Sequence, residues 1–165
     1  MKAKNKIITT ILLSTGATAS IALLNKYIKM TAISKNLLSV QEPHCYKWRL
    51  GNIHYTKIGN GKPLLLIHDL DSSSSGCEWD NLIPQLKDQY TIYTIDLLGC
   101  GRSEKPNLTY TNFLYVQLIN DFIKSEIGHR TNVIASGSSS SLVTMTCGYN
   151  SDLFEKIMFI NPESF

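Results

Sequence analysis

Gly137-Ser138-Ser139-Ser140-Ser141 gathers four hydroxyl nucleophiles in a chain of 165 residues. A serine attacks only when a neighbouring base takes its proton, and the four histidines, His44, His54, His68 and His129, all precede the run. The plainer role of such a run is to supply small residues and a helix N-cap. Gly99-x-Gly101 suggests a phosphate-cradling turn, but Glu104 stands where a third glycine belongs and Pro106 follows, so the dinucleotide fingerprint fails. Cys45, Cys77, Cys100 and Cys147 form neither a C-x-x-C pair nor a Cys/His cluster, which gives a zinc site no support. They read as reduced, partly buried thiols, with two disulfides open if the domain is exported. No metal or cofactor is expected.

The elements that must position these residues emerge from periodicity. Tyr46, Trp48 and Leu50 alternate with polar residues, Gly51-Asn52 reads as a turn, and Ile53-His54-Tyr55 resumes the extended pattern, as in a β-hairpin. After a second turn at Gly59-Asn60-Gly61, the run Pro63 to Ile67 is continuously apolar, as in a strand buried on both faces. Trp79, Leu82, Ile83 and Leu86 recur at helical spacing, and Tyr90 to Ile95 form a strand ending at Asp96. A long amphipathic helix carries Phe113, Val116, Leu118, Ile119, Phe122, Ile123 and Ile127 and closes at Gly128. A strand at Asn132 to Ala135, a helix at Leu142 to Cys147 and a strand at Lys156 to Ile160 complete the series. A hairpin followed by alternating helices and strands implies an α/β fold with a mixed, mostly parallel sheet and helices on both faces. Chemistry in such a sheet belongs at the carboxyl ends of the strands, in the loops after Ile67, Ile95, Ala135 and Ile160.

The first residues are of another kind. Ile7 to Leu24 carry no charge and are flanked by lysines, which suits a membrane helix of about 18 residues. A cleaved signal competes, with an n-region at Lys2 to Lys6 and an A-x-A site at Ala17-Thr18-Ala19; a soluble amphipathic helix is the third option. The apolar run continues past Ala19, as an anchor would. The expected organisation is an anchor or signal segment at 1–24, a linker or helix at 25–44 and a domain at 45–165. The expected location is a single-pass membrane anchor of undetermined side, or secretion if the signal is cleaved. A net charge of +3, with several lysines beside the apolar run, leaves no nucleic-acid footprint.

PLLLIHDLDSSSSGCEWDNLIPQL, YTIDLLGCGRSEKP, TNVIASGSSSS and EKIMFINPES together resemble the α/β-hydrolase superfamily, in its single-domain esterase, epoxide hydrolase and haloperoxidase-like branch, over about residues 45–165. Asp96-Leu-Leu-Gly-Cys-Gly-Arg-Ser103 matches the D-x-x-G-x-G-x-S element, whose role is structural: Asp96, Gly99, Gly101, Arg102 and Ser103 build a tight loop. His68-Asp69-Leu70 stands where the family has H-G-x, and the resemblance implies Leu70 as a backbone donor to an oxyanion hole and His68 as a loop-stabilising hydrogen-bonder. Asp69 replaces the family's glycine, and a carboxylate beside a developing oxyanion is unfavourable unless it points away.

The family's nucleophile elbow, G-x-S-x-G, can be set in three registers. Counting from Asn161-Pro162 and along Asn132 to Ala135 puts Gly137, which has no nucleophile, at the attacking position, with the Ser138 N–H as second oxyanion donor. Glycine suits that strained backbone. Ser138 and Ser139 remain candidates in the two other registers.

The family also implies a catalytic acid and histidine after the elbow, whereas the chain ends at Phe165 just after its sixth strand and offers only Glu163 there. Two readings follow: a membrane-tethered hydrolase of an ester-like small substrate when complete, inactive as this chain; or a non-catalytic protein of that fold binding a ligand or partner.

Overall fold

The computed structural model describes residues 43–163 and, ahead of them, residues 20–30 apart from 22 and 29. The chain divides into two compact units, residues 1–39 and 40–165. In the first, residues 20, 21, 23–28 and 30 are helical, and Ile21, Leu23, Leu24, Tyr27 and Ile28 are exposed. Among the described residues no helix is long and apolar enough to cross a membrane. The expected span at 7–24 falls mostly outside the described residues, as does the A-x-A site.

The second unit is built on six strands: β1 (Pro43–Trp48), β2 (Gly51–Ile58), β3 (Lys62–Ile67), β4 (Tyr90–Ile95), β5 (Thr131–Ser136) and β6 (Phe154–Ile160). Their order is β1-β2-β4-β3-β5-β6, antiparallel through β1, β2 and β4 and parallel from there on. This is the expected mixed, mostly parallel sheet. The apolar run in β3 is buried on both faces because its residues alternate between two cores. Leu65 and Ile67 join a large cluster with Leu118, Ile119, Phe122 and Val143; Leu64 and Leu66 join a smaller one with Trp79, Ile83 and Ile92. The central strands are thereby held in register, because a one-residue slip would exchange the two faces.

Three helices cover the sheet: α1 (Ile83–Leu86), α2 (Asn112–Phe122) and α3 (Ser139–Tyr149). Thr111 caps α2, its side chain accepting the Leu114 N–H at 3.2 Å. The helix continues through a π-type turn at Ile123–Ile127 and stops at Gly128, whose φ of 74° lets its N–H reach Ile123 O at 2.8 Å. Trp48 Nε1 donates to Asp121 Oδ2 at 2.9 Å and fastens the hairpin to α2.

Two expectations need correction. The hairpin turn is Arg49-Leu50, not Gly51-Asn52: Trp48 pairs with Gly51 across a two-residue loop, and Leu50 leaves the strand for the exposed tip. The segment expected as one helix from Trp79 to Leu86 is a 3₁₀ turn at Gly76–Trp79 followed by the single turn α1. Pro84 has no N–H to bond backward and is tolerated only in a helix's first turn. Trp79, Leu82, Ile83 and Leu86 still meet the same small core, so the spacing reported burial correctly.

At Gly128 an added Cβ would meet nothing within 4 Å, so a substitution there acts through the backbone alone. Gly128→Ala is expected to lower stability by about 1 kcal/mol, with Gly128→Asn costing less, because only the left-handed conformation is penalised. Urea unfolding of the three proteins measures the difference.

Candidate active site

Three loops meet at the carboxyl ends of β3, β4 and β5, and a buried carboxylate ties the first two together. Asp96 follows β4. Its Oδ1 accepts the Gly76 N–H at 2.6 Å, its Oδ2 accepts the Arg102 N–H at 2.8 Å, and His54 Nδ1 lies 3.3 Å from Oδ2. Burial alone would raise its pKa most, but the hydrogen bonds from His54, Arg102 and Gly76 together outweigh burial and hold it below the usual carboxylate range. Ser103 closes the loop by donating to Asp96 O at 2.5 Å and accepting the His54 N–H at 2.8 Å. Gly101, with φ of 46°, is required twice over: a Cβ there would lie 2.3 Å from Asp96 Oδ2. Gly99 has φ of 90°, and its N–H bonds Glu104 O at 2.9 Å.

His68 directly follows β3 and is fully buried. Its Nε2 accepts the Leu97 N–H at 3.0 Å, which assigns the proton to Nδ1, and Nδ1 lies 2.6 Å from Asp69 O. Both ring nitrogens are engaged in holding loops, so His68 has none with which to take a serine proton. Burial keeps its pKa below the ordinary histidine value against opposing pulls from Asp69, Asp96 and Glu78.

The elbow joins β5 to α3. The positive φ in this turn falls at Gly137, at 54°, whereas Ser138 is right-handed with φ of −67° and Ser139 is the first residue of α3. Ser139 is fully buried and donates to His68 O at 2.6 Å. Ser138 is bound to a carboxylate: Asp69 Oδ1 accepts both its N–H, at 2.9 Å, and its hydroxyl, at 2.8 Å. A Cβ on Gly137 would lie 2.3 Å from Asp69 Cγ and Oδ1 and 2.4 Å from Oδ2. The Asp69 side chain therefore occupies the space that a side chain at 137 would need.

The proviso that Asp69 point away from the elbow is not met: it points in, because two donors on Ser138 draw it there. Leu70, the other expected oxyanion donor, follows Asp69 and packs partly buried against the large core. It also lines a cavity of about 530 Å³ with Cys100, Lys105, Tyr110 and Tyr115. Glu78 went unread in the sequence, yet its Oε2 accepts the Asp69 N–H at 3.0 Å and its Oε1 lies 3.5 Å from Ser136 Oγ. His54 was likewise missed as a partner of Asp96. Neither carries a local motif, since both reach the site by tertiary packing; for Asp69, the signal was its pairing with a second departure at Gly137. Among the described residues no group of three or more His, Cys, Asp or Glu could hold a metal ion.

The model of the Alpha/beta hydrolase family matches residues 64–162. The chain belongs to this family. It is similar to an alpha/beta hydrolase relative, a soluble epoxide hydrolase of Corynebacterium sp. (strain C12), at 31% identity over 110 residues, 66% of this chain and 37% of the relative. It is 36% identical over 75 residues, 43% of this chain and 25% of the relative, to a 2-hydroxy-6-oxo-6-(2'-aminophenyl)hexa-2,4-dienoic acid hydrolase of Metapseudomonas resinovorans. An alpha/beta hydrolase fold protein from Burkholderia ambifaria superposes with a TM-score of 0.68 at 20% identity, covering 74% of this chain and 44% of that one. The chain thus spans between a quarter and somewhat under half of the length of these relatives.

The buried neutral His68 makes stability depend on pH in a stated direction. With its pKa lowered in the folded state, the unfolded chain binds the proton more readily, so this contribution is complete above about pH 6.5 and is lost as pH falls through the folded value. Replacing the ring with one that cannot titrate, in His68→Phe, should make the acid limb of a stability–pH profile shallower. At neutral pH the variant should lose roughly 1–3 kcal/mol, because the Leu97 N–H is left buried without an acceptor. Urea titrations across the pH range read both effects.

Proposed function

We propose that this chain is a membrane-tethered member of the alpha/beta hydrolase family that binds a small ligand or partner in the pocket beside its elbow without attacking it. The family's general role is hydrolysis, and the names of its relatives span an epoxide hydrolase and a dienoic acid hydrolase. The non-catalytic reading rests on one observation: the Asp69 carboxylate fills the space of a side chain at 137 and uses the Ser138 N–H. An oxyanion forming there would meet a negative charge in place of a free donor, which opposes the stabilisation on which acyl transfer depends. Gly137 supplies no nucleophile; Ser139 is buried and spent on His68 O; the Ser138 hydroxyl is spent on Asp69.

The tether is supported by the uncharged run from Ile7 to Leu24 with lysines on both sides.

A fluorophosphonate probe, which reports activated serines, should leave the protein unlabelled even in the longest form that its reading frame encodes. Labelling that disappears in Ser138→Ala or Ser139→Ala would instead assign that serine as nucleophile and return the chain to ester-like hydrolysis. For the tether, the full chain is expected in the carbonate-resistant membrane fraction. Leu12→Arg together with Leu13→Arg should release it, since each arginine near a span's centre costs about 2.5–3.5 kcal/mol. A mature mass beginning after Ala19 would replace the anchor by a cleaved signal.

A further inference from the structure

The elbow already holds a ligand, and that ligand is part of the chain. The base of its loop is fixed by His68, whose ring bridges Asp69 O and the Leu97 N–H, and by the Asp69 N–H running to Glu78 Oε2. From there the side chain reaches across to Ser138, where N–H and hydroxyl converge on a single oxygen, Oδ1, at 2.9 and 2.8 Å. Ser138 is the residue immediately before the eleven-residue helix α3, so the positive end of that helix adds to the two donors. A carboxylate is seated on these groups, which separates this arrangement from an empty helix end. Gly137 completes the seat, since any Cβ there would collide with all three carboxylate atoms.

We propose that the elbow is a carboxylate-binding hole, that Asp69 is its resident carboxylate, and that Asp69 thereby keeps small external carboxylates out. The proposal rests on the reading of Gly137 and Asp69 as a non-attacking elbow, and it names the chemistry that this elbow recognises. An external carboxylate competes for the same two donors and, while Asp69 is in place, meets a like charge at close range. Without Asp69 the donors face a void of matching shape. The exclusion is therefore set by one side chain and is reversible by removing it.

Asp69→Gly deletes a CH2–COO⁻ group, and acetate is that fragment with one added hydrogen. In this variant of the full chain the thermal midpoint should fall. Sodium acetate should restore at least half the loss in a saturable manner, whereas acetamide, or sodium chloride at equal ionic strength, should not. Wild type should gain nothing from acetate beyond the effect of chloride. The Ser138 amide resonance should titrate with acetate at a Kd at least tenfold lower in the variant than in wild type. Acetate acting no better than chloride on Asp69→Gly, or equally on both proteins, overturns the proposal. If the variant does not fold unaided, refolding yield with acetate against chloride is the readout, and equal yields sink it in the same way. Gly137→Ser provides an independent check: it should destabilise wild type far more than Asp69→Gly, and equal damage in both backgrounds would show that the carboxylate does not occupy that space. Fluorophosphonate labelling reports serine reactivity and acetate rescue reports the hole, so either result can fail while the other stands.

Discussion

A buried negative charge organises the working end of this domain. Asp96 is 4% exposed, and a lone carboxylate so placed would be heavily penalised. It is tolerated because two backbone N–H groups and an imidazole converge on it from three separate segments: Gly76, Arg102 and His54. Each partner is thereby fixed relative to the end of β4. Gly76 opens the turn that carries Glu78 towards Asp69, and the next residue, Leu97, donates to His68 at the end of β3. The elbow is reached through His68, whose carbonyl accepts from Ser139. The chain of contacts from Asp96 to Gly137 thus runs through backbone groups at most of its links, and it constrains geometry more than side-chain identity.

That reliance on backbone explains what was legible in the sequence and what was not. Apolar periodicity found the central elements, because burial has a period: β4 falls at Tyr90–Ile95 as expected, and Val116, Leu118, Ile119 and Phe122 of α2 are buried with Ile123 and Ile127 beyond it, whereas Phe113, read as part of the same face, is exposed. Boundaries suffered wherever local chemistry overrode period, as at Arg49-Leu50, where the two-residue loop pushes an apolar residue out, and at Pro84, where the helix is cut short. The D-x-x-G-x-G-x-S loop was readable because its glycines are forced by positive φ and by close neighbours, Asp96 at Gly101 and the Tyr110 ring at Gly99. Glu78 and His54 were not, since each is a single polar residue brought in by a distant segment. Asp69 was visible as a misfit, but its direction was not, because the donors that attract it lie 69 residues away.

The elbow shows how one set of donors can be satisfied from within the chain. Its tight turn, its glycine at positive φ and its helix end are features that favour charge development on a bound group. Here the same features are satisfied by a charge already present in the folded chain. Preorganised donors do not distinguish a transient oxyanion from a permanent carboxylate of similar size, so the same donors that suit the one also hold the Asp69 carboxylate.

The interlock of Gly137 with Asp69 also means that neither position can be changed without consequence at the other. A serine placed at 137 alone would meet a carboxylate already in its space, and a glycine placed at 69 alone would strip the elbow of its occupant without supplying a side chain at 137. The two positions are therefore coupled, and substitutions at them are expected not to add.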